Sequence, residues 1–179
     1  FEIAYALNRQ SGADGIYRHL TLYNFADNHD VNRVASSLPD QRMLYPLHLL
    51  LFTMPGVPSI YYGSEWGTTG KKTSHSDVAL RPAFELSRVN HNIPQPDLPG
   101  VIRRLAEIRS RMVSLRRGTY QQVMVSHQQF AFLREHEGER SLILLNAQDT
   151  PAVIKLPVKM QLSGLWLDEL NDKVQVRLD

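Results

Sequence analysis

The sequence predicts an α/β half followed by an all-β half. Three observations carry this. Between Phe1 and Tyr62, apolar runs of helical and strand length follow in the order helix, strand, helix, strand, the pattern of a parallel α/β sheet. After Gly118 only short β-like runs remain, separated by turn residues. Between the halves stands one amphipathic helix, in which Val101, Leu105, Ile108, Met112 and Leu115 recur on a single face. The division therefore falls near Arg117/Gly118, giving residues 1–117 and 118–179.

Taken in order, Phe1–Asn8 reads as the end of a helix, with Ile3, Ala4 and Leu7 on one side. Gln10–Gly15 is a polar loop, and His19–Phe25 has strand length and composition. Leu44–Met54 is dense enough in apolar residues to be a buried helix, with Pro46 in its first turn or at a kink. Pro55-Gly56-Val57-Pro58 stops it, and Ser59–Tyr62 reads as a short buried strand ending at Gly63. Thr68–Pro99 is long and irregular, a length that in a compact domain points to function or mobility. Pro99 suits the start of the amphipathic helix and Gly118 its end. Tyr120–Val125, Phe130–Arg134, Ser141–Leu145, Val153–Leu156, Leu165–Leu167 and Val174–Leu178 then make a small antiparallel β module.

Composition excludes several classes. With 42% hydrophobic and 21% charged residues the chain is not of disordered type. A net charge of +2 and no Lys/Arg run longer than two residues argue against nucleic acid or a membrane surface as partner. The absence of cysteine rules out disulfides, thiolate metal sites and Cys nucleophiles. No apolar run approaches the roughly 18 residues that span a bilayer. The N-terminus shows no signal-peptide pattern and no initiator Met, so the chain is expected to be cut from a longer one or processed; the compartment stays open between cytoplasmic and secreted.

The segment Leu22-Tyr23-Asn24-Phe25-Ala26-Asp27-Asn28-His29-Asp30-Val31-Asn32-Arg33 carries the most chemistry. Four adjacent polar residues follow a strand directly, where parallel α/β folds build their sites. An acid beside His, with Arg three residues on, can orient a sugar hydroxyl and stabilise developing positive charge. Alternatively, Asp27, Asn28 or Asp30 serves only as the cap of a following helix. A second segment, Leu49 to Glu65 with its Pro55-Gly56-Val57-Pro58-Ser59-Ile60-Tyr61-Tyr62-Gly63 run, bears on that choice.

Together the two segments resemble the α-amylase family of glycoside hydrolases. Phe25–Asp30 is similar to that family's last conserved region, at the end of barrel strand seven, and Pro55–Glu65 to its passage from helix seven through strand eight. Arg81-Pro82 and the stretch Gly100–Ala147 also fit, so the resemblance covers nearly the whole chain. It implies that residues 1–117 are the C-terminal part of a (β/α)8 catalytic barrel and 118–179 a β-sandwich domain. It implies that Asp30 is the third catalytic carboxylate, which stabilises the oxocarbenium-like transition state, and that His29 bonds the sugar being cleaved. Asn28, Arg33, Tyr62 and Arg81 are implied in substrate binding, Gly63 in shaping the site floor, and Glu65 in a structural role beside strand eight. His19, His48, His75, His91, His127 and His136 show no metal-ligand spacing and stay unassigned.

A retaining glycosidase needs two further carboxyl groups about 5–5.5 Å apart. The contexts that supply them in this family, Gly-x-Arg-x-Asp after strand four and a Glu after strand five, do not occur in these 179 residues. The expected function is therefore part of an α-amylase-type retaining hydrolase acting on α-1,4-glucans or maltodextrins, inactive in isolation. The alternatives are a non-catalytic sugar-binding module, with Trp166 and Tyr120 as the candidate stacking rings, a structural homologue that has lost hydrolysis, and a transglycosylase of the same family. No cofactor is expected in this chain; the family's calcium is usually held by an earlier domain. The expected partners are the glucan, the N-terminal barrel portion, or a second copy covering an exposed patch of Leu47, Leu50, Leu51, Phe52 and Ile60.

Overall fold

The computed structural model describes residues 1–85 and 93–178. Helix α1 (Glu2–Ser11) leads through turns to strand β1 (Tyr23–Phe25), followed by a short helix α2 (Val34–Ser37). Helix α3 (Leu44–Thr53) precedes strand β2 (Val57–Ser59). Helix α4 (Leu98–Arg111) and a short α5 (Val113–Arg117) connect to β3 (Thr119–Val125), β4 (Gln129–His136) and β5 (Glu139–Asn146), and the chain ends in the hairpin β6 (Gly164–Asp168) and β7 (Val174–Leu178).

Strands β1 and β2 pair in parallel, with Tyr23 opposite Val57 and Phe25 opposite Ser59, as the helix–strand alternation predicts. Both are shorter than expected, and β2 lies two residues earlier. Gly56 explains the early start. Its φ of +108° turns the chain directly out of α3, and a side chain there would collide with Asn24 and the Leu22 carbonyl. Val57 N then donates to Leu22 O at 2.7 Å, so pairing begins at once. Residues 19–20 are turn and bend and 21–22 are irregular, leaving only Tyr23–Phe25 in the ladder.

Pro46 sits inside the first turn of α3, where its missing N–H costs nothing. The expected single helix across Val101–Leu115 is two. Met112 takes an extended conformation (ψ 111°) between α4 and α5, and the Glu139 carboxylate caps the second piece by accepting from Ser114 N at 2.7 Å. That bond to the Ser114 backbone holds the Glu139 carboxyl below its ordinary range.

Strands β3-β4-β5 form an antiparallel sheet and β6-β7 a separate antiparallel pair; Val153–Leu156 forms no strand. One face of the three-stranded sheet packs Tyr120, Phe132, Ile143 and Leu145 against Leu7, Ile108 and Leu115. The other face packs Val123, Ala131 and Leu133 with Leu162, Trp166 and Leu178. Tyr120 is thus a core residue, and Trp166 is half-buried with Nε1 donating to Leu162 O at 2.8 Å, so neither presents an open stacking platform.

The apolar patch expected on α3 and β2 is not where the structure exposes apolar surface. Leu51 and Phe52 are buried, and Leu47 and Leu50 pack against two cores. The exposed large apolar residues in this half instead include Phe1, Ile3, Tyr5, Ile16, Leu20, Tyr23, Phe25 and Val57. Helix α3 is covered because the β-sheet and α4 close over it. The outward face of β1 and β2 has no such cover.

Candidate functional site

At the carboxyl ends of β1 and β2 two loops meet, and their contacts divide into a buried base and an open rim. Asp27 forms the base. It is buried, accepting from Val34 N at 2.8 Å through Oδ2 and from Ser64 Oγ at 2.7 Å through Oδ1. Of the three residues that the sequence offers as a cap, Asp27 is therefore the one serving the first turn of α2. Asn28 closes a local turn by accepting from Asp30 N at 2.8 Å.

Arg33 belongs to the base and not to the rim. It is 0% exposed, so the structure does not bring it to a surface where a sugar could touch it. Its Nη2 donates to the Tyr62 carbonyl, its Nη1 lies 4.0 Å from Asp27 Oδ2, and its guanidinium sits 4.5 Å from the centre of the Tyr61 ring. Among the described residues, its Nε and Nη1 find no hydrogen-bond partner. Gly63 makes this packing feasible. Its φ is +86°, and a Cβ there would lie 2.6 Å from Arg33 Nη2 and 2.9 Å from the Phe84 ring.

The rim holds His29, Asp30, Tyr62 and Arg81. Asp30 projects into solvent with its side chain 64% exposed. His29 Nε2 stands 3.3 Å from one of its oxygens and Arg81 Nη2 3.6 Å from the other. The His29 ring lies 6.4 Å from that of Tyr61, and Tyr61 packs edge-on to Tyr62 at 4.7 Å. The Tyr62 hydroxyl donates to Pro82 O at 3.1 Å, joining β2's loop to the segment that carries Arg81. Five of the six candidates, Asn28, His29, Asp30, Tyr62 and Arg81, thus gather around one open face, and the sixth, Arg33, supports it from beneath. Three contributors were not singled out from the sequence: Ser64, Tyr61 and Asp77. Asp77 had a signal, its position four residues before Arg81.

Other titratable groups lie apart. His48 is a core residue whose Nδ1 is 2.7 Å from Leu44 O, and its burial pushes the imidazole below its ordinary value. His91 lies outside the described residues. Among the described residues no group of three or more His, Asp or Glu side chains is placed to hold a metal ion. A cavity of about 380 Å³ lies between α4, β5 and the β6–β7 hairpin; neither His29, Asp30 nor Arg81 lines it. The candidate site is therefore separate from that cavity.

Residues 8–93 match the α-amylase family model described as "Alpha amylase, catalytic domain". The chain is 30% identical over 156 residues to the mouse amino acid transporter heavy chain SLC3A2, covering 72% of this chain and 29% of that protein. It is 30% identical over 128 residues to a cyclomaltodextrinase of a Bacillus species, covering 70% and 22%. In fold it is similar to the α-amylase of Geobacillus thermoleovorans, complexed with acarbose, with a TM-score of 0.77 and 22% identity over 99% of this chain and 42% of that one. It spans less than a third of either curated relative. The family-model match covers both loops that build the open face, and together with the cyclomaltodextrinase relative, 30% identical over 70% of this chain, it shows that the chain belongs to the α-amylase family.

Proposed function

We propose that these residues supply the strand-seven and strand-eight side of the active site of an α-amylase-type retaining glycoside hydrolase acting on α-1,4-glucans or maltodextrins. The observation that supports this most is the pairing of His29 and Asp30 on an open face above a fully buried base. In this reading Asp30 carries the negative charge that faces the sugar ring as it becomes cationic. A fixed, pre-oriented charge of that kind lowers the barrier more than it tightens ground-state binding. His29 donates to a hydroxyl of the same sugar. Tyr62 offers a ring wall, Arg81 flanks the carboxylate, and Asn28 shapes the turn that presents it. Arg33 acts through Tyr62 and Tyr61 rather than on the substrate. The nucleophile and the general acid come from the preceding part of the barrel, and residues 118–179 form the β-sandwich-like module that follows it.

The test is Asp30→Asn in a polypeptide that joins these residues to the preceding barrel half. Turnover should fall by at least a hundredfold, by comparison with removing one charge-stabilising donor, while KM changes little. Near-normal turnover would reduce Asp30 to a surface residue. The 179-residue polypeptide alone should show no turnover on starch or an activated maltoside. Activity that survives repurification and disappears in the Asp30→Asn chain would refute that.

The match to the amino acid transporter heavy chain favours a second reading, a structural partner without hydrolysis. Loss of the Asp after strand four or the Glu after strand five would decide for it.

A further inference from the structure

Residues 68–82 cross the open face as a strap anchored at both ends. Gly70 O accepts from Arg33 N at 2.9 Å, Gly70 N donates to Ser36 Oγ at 2.8 Å, and Lys72 N donates to Asn32 Oδ1 at 2.8 Å. At the far end Leu80 is buried, Arg81 N donates to Val78 O at 3.0 Å, and Pro82 O accepts from the Tyr62 hydroxyl. The backbone on both sides of Arg81 is therefore held, and what remains to be set is the side chain. Its guanidinium divides between two carboxylates through different nitrogens. Nη1 lies 2.9 Å from Asp77 Oδ2, one turn earlier, and Nη2 lies 3.6 Å from Asp30 Oδ1.

We propose that Asp77 is a positioning residue for Asp30, acting through Arg81. By taking one nitrogen of the guanidinium, Asp77 keeps the other just short of a direct hydrogen bond, which would need about 2.7–3.2 Å. This inference rests on the assignment of Asp30 to the transition state. A closed Arg81–Asp30 pair would commit one carboxylate oxygen to Arg81 before any sugar arrives. Held apart, Arg81 orients Asp30 electrostatically and leaves Oδ1 to face the developing cation, with His29 beside Oδ2. All three side chains are more than a third exposed. The effect is therefore that of a surface ion pair, up to about fivefold in rate.

The experiment replaces Asp77 by Ala. In a crystal structure of the 179-residue chain carrying Asp77→Ala, Arg81 should close on Asp30, its 3.6 Å separation shortening to about 3 Å. In the polypeptide joined to the preceding barrel half, Asp77→Ala should lower kcat about two- to fivefold with KM nearly unchanged. That loss should vanish when Arg81→Gln is already present. An unchanged separation, or an equal loss with and without Arg81, overturns the proposal. Failure of the Asp30 assignment would show separately, as full turnover of Asp30→Asn, and would leave the crystallographic outcome to stand by itself.

Discussion

Arg33 offers the sharpest perturbation of the site's base. Replacing it with Met keeps the approximate length of the side chain and removes the charge. Three contributions are lost: the hydrogen bond to the Tyr62 carbonyl, the cation over the Tyr61 ring at 4.5 Å, and the nearby positive charge 4.0 Å from Asp27. A charged hydrogen bond is worth roughly 1.5–3 kcal/mol and a desolvated cation–π contact about 2 kcal/mol. Breaking a buried pair costs about 3–5 kcal/mol when the remaining charge is left uncompensated. Two features reduce this. Asp27 keeps its bonds from Val34 N and Ser64 Oγ, and the orphaned Nε and Nη1 donors disappear along with the arginine. Each such donor costs about 1–3 kcal/mol when buried and unpaired. The expected net loss for Arg33→Met is therefore about 2 kcal/mol, or roughly 4–8 °C in Tm for a chain of this size. Urea unfolding of the 179-residue chain measures it. The decisive variant is Asp27→Asn combined with Arg33→Met, which removes the stranded carboxylate and should be more stable than the sum of the singles by at least about 1 kcal/mol. Additivity within about 0.5 kcal/mol would show that the two residues do not interact across that distance.

Gly63→Ala should cost about 2 kcal/mol or more, from the positive φ and from a Cβ driven against Arg33 and Phe84; a change in urea midpoint under a tenth of the wild-type value would refute it. His48 gives a pH dependence with a defined sign. Burial depresses its folded pKa below the unfolded value of about 6.5. The unfolded chain therefore binds more protons, and stability is fully present above that pH and is lost as pH falls through the folded pKa. His48→Gln should flatten the stability profile between about pH 7 and 5; an unchanged slope in urea titrations would assign the dependence elsewhere.

What the sequence made legible follows from how local each signal is. The α3–β2 passage could be read because a dense apolar run, Pro46 and the Pro55–Pro58 stop each act within a few residues. The loop Asp27–Asp30 was recognisable by its abrupt polarity after Phe25. The sequence could not show which of its acids points where. Asp27 and Asp30 are three residues apart and alike in chemistry, yet one is buried on Ser64 and the other meets His29 and Arg81 in solvent. That difference is decided by Ser64, more than thirty residues away. Arg33 misled for the same reason, since an arginine near a catalytic loop reads as a ligand contact unless the rings of Tyr61 and Tyr62 are known to cover it. The shortened β2 depended on one glycine's positive φ, and the break at Met112 on a carboxylate from a β-hairpin still to come.

Side chains far apart in sequence also meet at the proposed division at 117/118. Two buried arginines flank it, and one of them, Arg134, bonds across it. Arg109 of α4 donates to Phe52 O and Leu115 O at 2.8 Å each and to Gly56 O. Arg134 of β4 donates to Thr53 O at 2.6 Å, Gly118 O at 2.8 Å and Thr119 O at 3.0 Å. Burial, and then each one's neighbouring arginine, pushes both guanidiniums down, that of Arg134 to about 9. Main-chain carbonyls hold them here, and two, those of Phe52 and Thr53, belong to the last turn of α3, where the helix dipole favours a cation. Phe52, Thr53 and Gly56 make up the corner from which β2 leaves toward Tyr61 and Tyr62. The all-β half thus reaches back to grip the turn that starts the strand under the open face. The change at 117/118 is one of secondary-structure grammar, while the packing and the buried charge run straight through it.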